Sequence, residues 1–282
     1  MRNNIKLICI DMDGTLLNNK HGISERNKEA LKKANEMGVD IAITTGRLFC
    51  SARHYSDLIG VNTPVIASNG AYIRNRYEDV AILESPIPKD IAIEIYKIIK
   101  KYDLKINFNS WDTLLLEYEV SPDHTYSIMN RDMPDEKKIK FWVNSDFIAA
   151  INDFDGEIFK GIVIEKQDKD KLWAAKDELK EAFGDKLHVV SSGTDNFEVI
   201  MGTASKGNAV AYLADTLNVH PEEVMCIGDS ENDISMIEYA GIGVAMGNGL
   251  QIVKDVADYI TDTNINDGVA KAVEKFVLNK EV

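Results

Sequence analysis

Apolar residues recur along this chain in short runs separated by longer amphipathic stretches. Residues 6–10, Lys-Leu-Ile-Cys-Ile, form a run bounded by polar positions, the pattern of a parallel strand buried on both faces, and the run leads straight into Asp11. Ser24 stands where it can cap a helix whose apolar stripe is Ala30, Leu31, Ala34 and Met37, and Gly38 supplies a left-handed stop. A second run at 39–43, a helix at about 48–59 and a third run at 64–67 repeat the alternation. The rhythm predicts an α/β fold with a doubly wound, Rossmann-like parallel sheet.

The same rhythm returns near the C-terminus, with strand-like runs at 224–227, 242–245 and 259–261 separated by helical segments, so the two ends of the chain are expected to share one sheet. Between them the pattern changes. A helix at about 89–102 precedes strand-like stretches near 104–109 and 113–118, and a helix near 169–183 precedes strands near 187–191 and 197–201. Helix-strand-strand twice over predicts a compact α+β insert with its own sheet. The expected division is a core of residues 1–83 and 201–282 and an inserted cap of 84–200, with the stretch 123–140 unassigned.

Composition narrows the partners. Among 282 residues, 46 acidic against 32 basic side chains give a formal charge of -14, which disfavours a broad grip on nucleic acid or an anionic membrane. A small anionic substrate stays compatible where a bound metal or a few basic side chains offset the field. Cys9, Cys50 and Cys226 form neither a C-x-x-C pair nor an even disulfide framework, which fits a reducing cytoplasm. The run before Asp11 is too short for a membrane span.

The chemistry gathers at strand ends. Asp11-Met12-Asp13-Gly14-Thr15 follows the first strand directly, which puts two carboxylates at the carboxyl edge of the sheet, where open α/β folds bind ligands. A D-x-D-G-T pattern arises by chance in a chain of this length only about a few times in a thousand, although an acidic turn bent by Gly14 gives the same letters. Gly228-Asp229-Ser230-Glu231-Asn232-Asp233 has the same setting after the strand at 224–227, and carboxylates from separate strand ends can converge on magnesium; a lone Asp229 would read as a helix cap. Lys206, in Ser205-Lys206-Gly207 at a helix start, can meet a phosphate oxygen or stand in solvent. Thr44-Thr45-Gly46-Arg47 offers a hydroxyl and backbone N–H groups suited to phosphate.

Together these segments resemble the haloacid dehalogenase (HAD) superfamily, in particular its Cof-like phosphatases with a large α/β cap. The resemblance spans the chain through Asp11 to Leu16, Thr44 to Arg47, Ser68 to Ala71, Ser205 to Ala209, Gly228 to Asp233, Ala245 to Asn248 and Asp267 to Ala270, and departs at Gly249, where the family usually has Ala. It implies a magnesium-dependent hydrolase of small phosphorylated metabolites. Asp11 would be the nucleophile, Asp13 the general acid and base, and Thr45 and Lys206 the holders of the transferring phosphoryl group. Asp11, the Asp13 backbone carbonyl and Asp229 would ligate magnesium, with Asp233 supporting the metal or Lys206. Gly46, Arg47, Asn69 and Asn232 are implied on the phosphate or cap-facing side. The insert would cover the site and choose the leaving group, with Trp111, Tyr118, His124, Tyr126 and Trp142 as aromatics that either contact it or pack.

Two other readings use the same residues. A phosphomutase or phosphotransferase would pass the group to an acceptor hydroxyl in place of water; a phospho-receiver or binding module would keep it, but gains nothing from Asp13 two residues beyond Asp11. No Walker motif occurs, and Gly241-Ile-Gly243-Val-Ala-Met-Gly247 has the wrong spacing and setting for a dinucleotide loop.

Overall fold

The computed structural model describes residues 4–60, 63–131 and 133–279. Its strands are β1 (Leu7–Asp11), β2 (Asp40–Thr44), β3 (Pro64–Ala67), β4 (Tyr72–Asn75), β5 (Ala81–Glu84), β6 (Ile106–Asn109), β7 (Thr113–Leu116), β8 (Lys140–Val143), β9 (Lys160–Ile164), β10 (Leu187–Val190), β11 (Asn196–Met201), β12 (Val224–Gly228), β13 (Ile242–Ala245) and β14 (Tyr259–Ile260). The helices are α1 (Glu25–Glu36), α2 (Phe49–Ile59), α3 (Lys89–Lys101), α4 (Thr125–Arg131), α5 (Phe147–Asp153), α6 (Lys169–Phe183), α7 (Lys206–Thr216), α8 (Ile234–Tyr239), α9 (Gln251–Val256) and α10 (Gly268–Phe276).

One sheet has the order β14-β13-β12-β1-β2-β3-β4-β5 and holds the two ends of the chain together. From β14 to β3 every pairing is parallel. Every residue of β1 is buried because helices cover both faces: Ile8 and Ile10 pack with Leu31, Ala34 and Val269, while Leu7 and Cys9 pack with Val210, Leu213 and Met236. That sandwiching explains a strand with no polar alternation. Ser24 caps α1 by accepting from the Asn27 N–H, and Gly38 beyond its end has φ +87°.

The first sheet differs from expectation at one edge. β4 and β5, which the sequence pattern does not predict, form an antiparallel hairpin on β3, so five strands and not three precede the insert. Residues 74–80 are mostly polar and β5 is only half-buried, so the hairpin carries little apolar periodicity.

The second sheet, β10-β11-β9-β6-β7-β8, belongs to the cap. α3, α5 and α6 pack on one face, where Ile95, Phe147 and Leu172 meet Ile106, Phe108, Val163, Phe197 and Val199. Side chains alternate along a strand, so Asn107, Asn109, Lys160, Ile162 and Glu198 point the other way, toward the carboxyl edge of the core sheet. The unassigned stretch contains α4, which buries no residue completely and so shows no apolar stripe. β8, α5 and β9 were also not anticipated, being short elements between loops. No helix among the described residues is long and apolar enough to cross a membrane.

Gly70 fixes where the core's third strand meets α7. Its φ is +95°, and a Cβ there would stand 2.2 Å from the Ser205 carbonyl oxygen. Gly70→Ala is expected to cost about 3 kcal/mol of folding stability, read as a lower denaturant midpoint at unchanged m value; an unmoved midpoint would contradict this close approach.

Candidate active site

Asp11 ends β1, beside Thr44 on β2, and the chain then turns through Gly14. A Cβ on Gly14 would lie 2.5 Å from Asp229 Oδ2, so the glycine is what lets the Asp229 carboxylate approach this turn. Thr15 secures it from the same turn, its hydroxyl donating to Asp229 Oδ1 at 2.8 Å. Segments 214 residues apart in sequence thus meet at one strand edge.

Lys206, the first residue of α7 after its Ser205 cap, lies at the centre. Its ammonium donates to Asp11 Oδ1 at 2.6 Å and to Asp233 Oδ1 at 2.5 Å, and its side chain is sealed from solvent. The other oxygen of Asp233 accepts from the backbone N–H groups of Asp229 and Ser230 at 2.8 and 2.9 Å. Asp11 Oδ2 has no hydrogen-bond donor among the described residues. Asp11, Asp229 and Asp233 offer oxygens that all lie within 4.8 Å of one another.

Three carboxylates around one ammonium leave negative charge in excess. Burial, reinforced by Asp233 and Asp229, raises the Asp11 carboxyl well above its ordinary range despite Lys206. Burial and then Asp233 push Asp229 up to about 6. Burial opposes the charge on Lys206, but Asp11 and Asp233 outweigh it and hold the ammonium protonated. A hard divalent cation would relieve this imbalance, and an oxygen donor set of this kind fits magnesium.

The Asp13 carboxylate turns away from that cluster. Arg47 grips it with both arms of its guanidinium, Nε to Oδ2 at 2.7 Å and Nη2 to Oδ1 at 2.6 Å, while stacking 4.9 Å above the Tyr55 ring. Burial alone would raise Asp13, but the Arg47 hydrogen bonds and charge outweigh it and hold the carboxyl below its ordinary value. Thr45 is buried, and its Oγ1 accepts from the Arg47 N–H at 3.1 Å. Asn69, held at φ +56°, accepts through Oδ1 from Asn232 Nδ2 at 3.0 Å. Asn232 Oδ1 is buried without a partner among the described residues and so remains available as an acceptor.

These groups face a cavity of about 300 Å³ between the core and the open face of the cap sheet. Asp11, Asp13, Thr45, Gly46, Arg47 and Asn232 line its core side. Asn69, Lys206, Asp229 and Asp233 stand behind that lining through the contacts above. Of the five aromatics, His124 and Tyr126 reach the cavity. Trp111 instead packs on Phe49, Trp142 packs on Phe154, and the Tyr118 hydroxyl donates to Asn107.

The motifs did not reveal the cap's contribution. Lys160 of β9 and Glu198 of β11, both almost fully buried, form an ion pair at 2.8 Å in the cavity wall. Lys160 also donates to the Gly46 carbonyl, and Glu198 accepts from the Asn69 side-chain amide. The signal was present in the sequence as single charges inside apolar runs, Ile158-Phe159-Lys160-Gly161-Ile162 and Phe197-Glu198-Val199, since strand charges of that kind are rarely buried unless paired.

A family profile described as haloacid dehalogenase-like hydrolase matches residues 8–273. The chain is 33% identical over 274 residues to the 5-amino-6-(5-phospho-D-ribitylamino)uracil phosphatase YcsE of Bacillus subtilis, covering 97% of this chain and 96% of that one. A haloacid dehalogenase-like hydrolase structure from B. subtilis superposes with a TM-score of 0.85 at 29% identity, covering 97% of this chain and all of the other. The HAD subclass IIB sugar phosphatase BT4131 superposes with a TM-score of 0.76 at 25% identity, over 96% and 98% of the two chains. Sequence, fold and strand-edge chemistry agree, and the chain belongs to the haloacid dehalogenase-like hydrolases as a phosphatase of small phosphorylated substrates.

Proposed function

We propose that this enzyme hydrolyses phosphomonoesters in two steps through a phosphoryl group carried on Asp11, with magnesium as its cofactor. The observation that carries the reading is the convergence of Asp11, Asp229 and Asp233 beside Lys206, which leaves Asp11 Oδ2 undonated. The metal would be held by Asp11, Asp229 and the Asp13 backbone carbonyl. Bound there, it supplies positive charge that lets a carboxylate approach a phosphate dianion. Asp233, with both oxygens engaged, supports Lys206 and the 229–230 backbone.

Lys206 neutralises Asp11 and fixes its orientation, so that Oδ2 meets phosphorus in line with the leaving oxygen. Thr45 and the neighbouring Gly46 and Arg47 hold the non-bridging oxygens, with Asn232 alongside. Asp13 moves the protons: it gives one to the leaving alkoxide and then, as carboxylate, takes one from the water that opens the acyl phosphate. In the free enzyme Arg47 holds Asp13 ionised. An arriving phosphoryl group competes for Arg47 and adds negative charge, and both changes raise the Asp13 carboxyl toward the form that can donate.

Cap residues 84–200 select the leaving group. Their wall sums to no net charge, since Lys160 and Glu198 offset each other and burial keeps His124 below its ordinary value and so neutral. Asn107, Asn109 and Ser192 offer amides and a hydroxyl, while Leu114, Ile162 and Ile164 add an aliphatic face. That surface suits a neutral, hydroxyl-bearing leaving group, which covers sugar phosphates and the phosphoribityl compound named for the B. subtilis relative.

Asp11→Asn is expected to lower kcat by about a thousandfold or more, on the order of 4 kcal/mol, in a phosphate-release assay over a panel of phosphomonoesters. Chelating the metal abolishes release and added magnesium restores it; full activity in chelator would defeat the metal's role. With p-nitrophenyl phosphate, whose phenolate leaves unprotonated, Asp13→Asn gives one equivalent of nitrophenolate in a burst and then stalls. Steady wild-type turnover in that variant would remove Asp13 from the hydrolytic step.

The Arg47 contact makes a separate prediction. The Asp13 carboxyl titrates below its ordinary 3.8 in the native enzyme and moves upward in Arg47→Met, as read by carbon NMR. Because the folded value is depressed, the pair's stabilisation is complete above 3.8 and is lost as pH falls through the folded value. Denaturant midpoints of wild type and Arg47→Met therefore converge toward the acid end; a gap independent of pH would refute the pairing.

A further inference from the structure

Lys160 and Glu198 belong to the cap, yet each reaches a group of the core beside the phosphoryl site. The peptide between Gly46 and Arg47 is planar, so its carbonyl and its N–H point in opposite directions. Lys160 donates to that carbonyl from the cap side. On the opposite side the Arg47 N–H donates to Thr45 Oγ1 at 3.1 Å. A hydroxyl oxygen that accepts in this way keeps its own proton free to donate elsewhere. Glu198 meanwhile accepts from Asn69 Nδ2, and Asn69 Oδ1 accepts from Asn232 at 3.0 Å, so the cap reaches the Asn232 amide through one intermediary. A Cβ at Gly46 would lie 2.9 Å from Asn69 Oδ1 and 3.0 Å from Glu198 Oε2, so a side chain there would press on both groups.

Stability alone does not account for the pair. Lys160 and Glu198 are 3% and 4% exposed, and an ion pair so deeply buried seldom outperforms apolar packing of the same volume. Neighbouring cap positions on this strand face, Ile162 and Leu114, are aliphatic, so apolar packing was open to the same face.

We infer that Lys160 and Glu198 are positioning residues: by holding the Gly46 carbonyl and the Asn69 amide they aim the Thr45 hydroxyl and the Asn232 amide at the phosphoryl group. The cap thereby completes the phosphate-binding loop as well as covering it. The inference rests on the phosphoryl-binding role proposed for Thr45.

Inorganic phosphate fills the phosphoryl subsite without touching the leaving-group side, so its inhibition constant reads the loop directly. With magnesium present, Lys160→Met raises that constant and lowers kcat, each roughly tenfold, and by the same factor for p-nitrophenyl phosphate and a sugar phosphate. Lys160→Arg, which keeps a cation, recovers most of the loss. The double variant Lys160→Met/Glu198→Gln removes both charges and is expected to unfold at or above the wild-type denaturant midpoint while retaining the kinetic defect. Wild-type kcat and phosphate inhibition in the double variant would overturn the inference, as would a loss confined to one leaving group with phosphate inhibition unchanged. Thr45→Val separates the two readings. If it leaves phosphate inhibition unmoved while Lys160→Met weakens it, the route through Thr45 is overturned and the role of Asp11, tested by Asp11→Asn, is untouched.

Discussion

A lysine ammonium sealed among carboxylates governs this molecule. Burying such a charge costs several kcal/mol unless it is paired and hydrogen-bonded, and Lys206 meets that condition only because β1 ends at Asp11 and the loop after β12 delivers Asp233. The start of α7 is thereby tied to two strand ends at once. Deleting both carboxylates would strand a cation in the interior, a change that costs about 3–5 kcal/mol in other buried pairs. The charges still do not cancel, since Asp229 stands beside the pair and is pushed up to about 6 by burial and by Asp233. A pocket left with surplus negative charge is a poor place for a phosphate and a good one for a cation, and the proposed chemistry needs both, the cation first.

Much of this was legible from residue order. Asp11 after an apolar run, Gly14 two residues past Met12 and the Asp229 cluster after a second run identify a sheet edge, because parallel strands buried on both faces show themselves as uninterrupted apolar letters. The fold class and the family followed from those segments. Elements at the margins escaped: β5 is only half-buried and joins β4 through a largely polar stretch, and α4 buries no residue completely. Neither leaves the periodic trace that depth produces.

Site residues divide the same way. Asp11, Asp13 and Lys206 stand in compact motifs, whereas Lys160 and Glu198 are single charges in separate strands whose meeting depends on register. Glu198 lies opposite Ile162, which makes Lys160, two residues earlier on β9, its diagonal neighbour on the same face. Pairing across strands cannot be read from either segment alone. The state of Asp13 was hidden for a similar reason: its depressed carboxyl depends on the bidentate fork of Arg47, 34 residues away, and no local letter encodes that geometry.

The alternation along the cap strands has a consequence for how such an enzyme can change. On β9, Val163 faces the helices while Ile162 faces the cavity, and on β11 Phe197 and Val199 face the helices while Glu198 does not. Adjacent letters therefore answer to separate demands, one set to the cohesion of the cap and the other to whatever enters beneath it. Drift at cavity-facing positions can retune molecular preference while the helix-facing set preserves the scaffold, so divergence in taste need not be accompanied by divergence in shape.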